Sequence, residues 1–198
     1  VKDHERMSNR AVGCVAYSQV CFGFFIGVCV AIHPGLVLKW NEGGLSNFGI
    51  HIKTAIPYTL ALGLASLLSH RGAVLLGRLA GTSHPFVRVL KVYSWLIAIV
   101  LVSTYAYSLN VVLKDFHIAT GIAIALFELA ASLWMYRYLG RSAPDTTLAG
   151  IQVIGFVLAA LTFVGALHVL FLTQILTGVS FALLMVRSAR RTAALATP

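Results

Sequence analysis

The chain has 198 residues, 59% of them hydrophobic and 11% charged, with a formal net charge of +9 and a mean hydropathy of +0.87. A soluble domain of this length keeps too large a surface-to-volume ratio to hide so much apolar area, which excludes an ordinary water-soluble globule and points to a polytopic membrane protein. The basic residues fall in short segments between apolar runs, as topology signals and contacts for anionic headgroups, and no basic stripe with interleaved aromatics exists, so nucleic acid is excluded as a partner.

Six apolar runs follow one another, at about 11–33, 54–71, 88–109, 117–137, 148–166 and 169–187. Each approaches the ~20 residues that ~30 Å of hydrocarbon requires. The expected fold is an all-α six-transmembrane-helix bundle forming a single domain over residues 1–198. The first run holds Cys14, Cys21 and Cys29, whose spacings of seven and eight place them along one helix face. Within a straight helix they are too far apart to pair, and without a CxxC they read as packing residues. Gly23 and Gly27 form a GxxxG, which is expected to pack within the bundle. This run is too long for a signal peptide and lacks a small-residue cleavage site, so it should remain as an anchor.

The connection at 34–53 reads PGLVLKWNEGGLSNFGIHIK, and its Gly43, Gly44 and Gly49 permit backbone shapes closed to other residues. It reads as a structured loop. In the connection at 72–87, the AVLLGRLAG portion is too short to span and is expected to lie as an interfacial amphipathic helix. From Leu148 to Val186 there is no Asp, Glu, Lys or Arg, yet the stretch is about twice one span, so a tight turn is needed near Gly165–His168. Gly155/Ala159 and Gly178/Ala182 there are small-xxx-small pairs.

Orientation follows from the basic residues. Lys2, Arg6, Arg10, Arg71, Arg78, Arg88, Lys91, Arg137, Arg141, Arg187, Arg190 and Arg191 fall on one side of the alternation, against Lys39, Lys53 and Lys114 on the other. The positive-inside rule then puts both termini in the cytoplasm and the 34–53 loop outside. Val1 fits a GTG start codon read literally, so a bacterial plasma membrane is the expected location.

Glu128 is the most informative single residue. It lies eleven positions after His117, about 16 Å along a helix at 1.5 Å per residue and nearly on the same face. His117, Thr120, Gly121 and Glu128 therefore make one polar seam, which should point into the bundle because an ionisable group facing lipid costs several kcal/mol. Ser103, Thr104, Tyr107 and Gln152 are its candidate partners. A second constellation gathers at the outer face: His33, then Glu42, Ser46, Asn47 and His51, with Asp115, His117 and His168 at later helix ends. Histidine beside carboxylate suits a headgroup, an acid–base pair or a divalent metal. HExxH and HxxxH are absent, so no metal site and no cofactor are predicted, although His33, His117 and His168 leave a surface b-type haem as an alternative. A Ser46–His51 pair could be drawn for acyl chemistry, but serine in a Gly-Asn loop reads as a turn residue. GxSxG and nucleotide-binding glycine loops are missing.

HPG at 33–35, NEGGLSNFGIH at 41–51 and Pro57 are similar to the exoplasmic loop of the FRAG/DRAM family and of related bacterial six-helix proteins, and DFHIATGIAIALFE at 115–128 resembles a helix of that group. The resemblance covers about a third of the chain and implies a six-helix bundle with a structured outer loop. It transfers no catalytic residue, and the Gly43–Gly44 pair before Ser46 departs from the family pattern. The leading functional expectation is a lipid-interacting or accessory membrane subunit, its partners being membrane lipids and a second membrane protein. The alternative is a small membrane enzyme or proton-coupled carrier working through Glu128 and His117.

Overall fold

A computed structural model describes residues 2–35, 44–107 and 111–196. Among them the helices are α1 (Lys2–Ile32), α2 (Asn47–Ile50), α3 (Ala55–Ala80), α4 (Pro85–Tyr107), α5 (Val111–Leu139), α6 (Ala143–Phe163) and α7 (Leu170–Leu195). All but α2 are long and apolar enough to cross a membrane, so the predicted six-helix bundle is the observed one. Glu42 and Gly43 lie outside the described residues.

Local chemistry sets the helix limits. Asp3 and Glu5 sit in the first turn of α1, where carboxylates complement the exposed N–H groups. Pro34 follows its last turn and disfavours helical backbone at His33. Pro57 and Pro85 fall in the first turns of α3 and α4, where a missing N–H costs nothing. The turn expected near 165–168 lies where α6 ends. Gly165 takes φ +79°, which an L side chain rarely adopts, and its N–H donates to Thr162 O at 3.0 Å while Ala166 N–H reaches Leu161 O at 2.9 Å.

α1 packs on α3, α3 on α4, α4 on α5, and α6 on α7, while α7 also touches α1, α3, α4 and α5. The last helix is therefore the hub. Phe181, Leu184, Met185 and Ala189 of α7 are fully buried, facing a core that includes Val15, Leu76, Phe86, Leu90 and Met135. Large apolar side chains such as Val20, Phe24, Leu67, Trp95, Val102 and Ile154 point outward, as they should where the solvent is hydrocarbon. One end of the bundle carries both termini and the α3–α4 and α5–α6 turns, the terminal end. The other, the loop end, carries α2 and the α6–α7 turn.

Two expectations are corrected. The segment at 72–87 holds no separate interfacial helix, because α3 runs through it to Ala80 and α4 starts at Pro85. Gly72, Ala73, Leu76 and Gly77 are buried there, and a Cβ at Gly72 would come within 2.8 Å of Val15 on α1. The small and apolar residues that look interfacial form a packed helix face. Gly23 and Gly27 do not pack within the bundle: both are exposed, with no atom within 4 Å of a built Cβ. α1 docks instead through Ala11, Val15, Ser18, Ile26 and Cys29 on its other face. Gly155 does serve as a close-approach point, against Thr177 of α7, while Gly178 meets nothing within 4 Å.

Candidate functional site

At the loop end, the one-turn helix α2 is pinned to the transmembrane helices. Leu45 N–H donates to Gln174 Oε1 of α7 at 2.7 Å. Phe48 is buried edge-on to Phe171, with ring centroids 6.0 Å apart. Gly49 lies so close to α3 and α4 that a Cβ would sit 2.5 Å from Thr104 Cγ2 and 2.6 Å from Tyr58 Cε1. Those two residues bond to each other, Tyr58 Oη to Thr104 Oγ1, at 3.1 Å. Thr54 Oγ1 donates to Phe48 O at 2.7 Å, and Cys29 Sγ approaches Thr54 O at 3.7 Å. These hydrogen bonds and ring contacts hold α2 against α3, α4 and α7, which is what a short helix needs to persist.

The candidate residues meet in pairs rather than in one cluster. His33 and His51 lie edge to face with ring centroids 4.3 Å apart. His51 Nδ1 is buried without a hydrogen-bond partner among the described residues. Ser46 and Asn47 are half-buried at the start of α2. His117 Nδ1 is 3.1 Å from Ser103 Oγ of α4, which also bonds Thr120 Oγ1 at 2.8 Å. Asp115 and His168 are exposed on α5 and in the α6–α7 turn. Among the described residues no three His, Cys, Asp or Glu side chains converge as metal ligands. Glu42 lies outside the described residues.

Glu128 does not continue the His117 cluster. Eight residues separate it from Thr120, about 12 Å of rise, and the anticipated partners are engaged elsewhere. Ser103 bonds His117, Thr104 bonds Tyr58, and Gln152 donates to Thr177 O at 2.5 Å and Ser180 Oγ at 2.9 Å; the side chain of Tyr107 lies outside the described set. Glu128 sits instead within electrostatic range of Tyr93 on α4, whose hydroxyl lies near the Gln19 side chain of α1. Gln19 Nε2 donates to Ser18 Oγ at 3.0 Å, and Ser69 Oγ of α3 donates to the same oxygen at 3.1 Å. The predicted seam is therefore two clusters, with a deeper one joining four helices. Sequence reading missed Gln19 and Tyr93; the signal was a lone amide in the uncharged stretch from Ala11 to Ile32.

A third polar group, also missed, closes the terminal end. Asp145 is fully buried, and Arg187 Nε donates to its Oδ1 at 2.6 Å. Ser142 Oγ donates to Asp145 Oδ2, and Arg187 Nη2 lies 3.4 Å from Ser142 Oγ. Serine three residues before an aspartate at a helix start is the spacing that should have marked it. Arg191 Nη1 donates to Leu139 O at 2.8 Å, and Arg191 Cζ lies 5.3 Å from the Tyr138 ring centroid. Tyr138 stacks on Trp134 and meets His84 edge-on at 5.9 Å. Burial holds His84 below the ordinary histidine pKa, and its Nδ1 accepts from Phe86 N–H at 3.3 Å.

Compared with known proteins, the chain matches no family model, no curated sequence and no solved structure.

Proposed function

We propose that this multi-pass membrane protein is a non-catalytic component of a bacterial plasma membrane, with both termini cytoplasmic, whose outward loop end recognises a polar lipid headgroup or the loop of a membrane partner. The carrying observation is the anchoring of α2. A mere connector needs no helix stapled to three transmembrane helices, whereas recognition gains from presenting Ser46, Asn47 and His51 on a rigid support. The test is purification in native nanodiscs followed by mass spectrometry of co-purified lipid and protein. One enriched species is expected, lost when Asn47 and His51 are both changed to Ala. Recovery of neither lipid nor partner from the wild-type chain refutes the proposal. Thiol labelling of single cysteines placed at Ser46 and Arg141 tests the orientation, only the first reacting with an impermeant reagent from outside.

A second reading is favoured by Glu128. It makes no hydrogen bond among the described residues, yet it stands inside a span within electrostatic range of Tyr93. An ionisable group with no structural bond is costly in hydrocarbon, which makes a proton-coupled role the alternative. The gap between Glu128 and His117 counts against the two working as one relay.

A further inference from the structure

Three arginines near the end of α7 stand in different surroundings. Arg187 is paired with Asp145, and Arg191 is held by Leu139 O and the Tyr138 face. Arg190 is exposed and makes no hydrogen bond or ion pair among the described residues. It borders a groove of about 560 Å³ between α1 and α7, walled by Ser8, Asn9, Gly13, Ala16, Tyr17 and Ala194. The side chains of Ser8, Asn9 and Tyr17 are likewise without hydrogen-bond partners among the described residues. Among the described residues no carboxylate lines the groove.

Depth and shape fit the membrane boundary. α7 has 26 residues, about 39 Å at 1.5 Å each, so it overruns a ~30 Å hydrocarbon core. Arg190 precedes the end of the helix by five residues, about 7.5 Å, at the level where headgroup gives way to acyl chain. From the groove inward, Tyr17, Val20 and Phe24 of α1 and Val179 and Leu183 of α7 are exposed and offer apolar walls.

We propose that this groove binds one anionic glycerophospholipid. Arg190 takes the phosphodiester, Ser8, Asn9 and Tyr17 hydrogen-bond to its oxygens and the glycerol, and an acyl chain lies along the exposed rows of α1 and α7. One cation with neutral donors, and no acid among the described residues, suits a lipid with a single net negative charge over a zwitterionic one. The proposal is independent of the loop-end reading, since it uses the opposite end of the bundle.

The experiment titrates phosphatidylglycerol and phosphatidylcholine onto delipidated full-length protein in detergent, with native mass spectrometry as the readout. The wild type should hold one phosphatidylglycerol and little phosphatidylcholine. Arg190→Gln should weaken phosphatidylglycerol binding about tenfold. Ala194→Leu, at an exposed position that fills the groove, should do the same with the arginine intact. Arg88→Gln, an exposed cation at the same end of the bundle but outside the groove, should leave binding unchanged. Wild-type retention in both groove variants overturns the proposal. So does an equal loss in Arg88→Gln, equal binding of phosphatidylcholine, or displacement of the lipid by inorganic phosphate.

Discussion

Removing either partner of the Asp145–Arg187 pair should destabilise the fold, but by unequal amounts. Asp145 is 0% exposed and Arg187 is 42% exposed. Arg187→Gln strands a buried carboxylate with the Ser142 hydroxyl as its one remaining hydrogen-bond partner among the described residues, and breaking a buried pair in this way costs about 3–5 kcal/mol. Asp145→Asn leaves a guanidinium that already reaches water or headgroups, so the loss shrinks to that of a screened charge-assisted hydrogen bond, about 1–1.5 kcal/mol. The gap of at least about 1.5 kcal/mol exceeds a tenfold change in the folded-to-unfolded ratio. The double variant should cost less than the sum of the two, because the residues share one network. Titration with dodecyl sulfate from mild-detergent micelles, followed by helical circular dichroism, measures each loss. A thiol-reactive dye reporting exposure of buried Cys29 gives an independent melt. An Asp145→Asn loss equal to or larger than that of Arg187→Gln would refute the reasoning.

Three further outcomes are expected. Gly49→Ala forces a methyl against Thr104 and Tyr58, costing about 1–3 kcal/mol; limited proteolysis should then cut the loop faster, whereas Gly27→Ala, with no neighbour to meet, leaves the rate unchanged. Glu128→Leu should keep or raise the melting temperature, since the carboxyl makes no hydrogen bond among the described residues; a drop of several degrees would reveal a structural role instead. For His84, the folded pKa lies below the unfolded one, so its contribution is intact above the unfolded value and is lost as pH falls from there through the folded pKa. The melting temperature should therefore fall on acidification. His84→Gln should flatten that slope, and an unchanged slope would assign it to another group.

Hydropathy alone determined the six helices and the turn near Gly165, because a backbone in hydrocarbon must satisfy its own polar groups and needs ~20 apolar residues to do so. It also marked Glu128 as an anomaly within a span. Tertiary packing decided which residues meet. Glu128 lies near Tyr93 rather than the anticipated Ser103 and Thr104 of the same helix, because the antiparallel register that pairs Ser103 with His117 sets Tyr93 at the depth of Glu128. Gly72 and Gly77 became core while Gly23 and Gly27 stayed outside, although the residue types are identical. In a soluble protein polarity separates inside from outside. In lipid both faces of a helix are apolar, so a one-dimensional pattern shows that a helix spans but leaves its rotation to be set by contact with its neighbours.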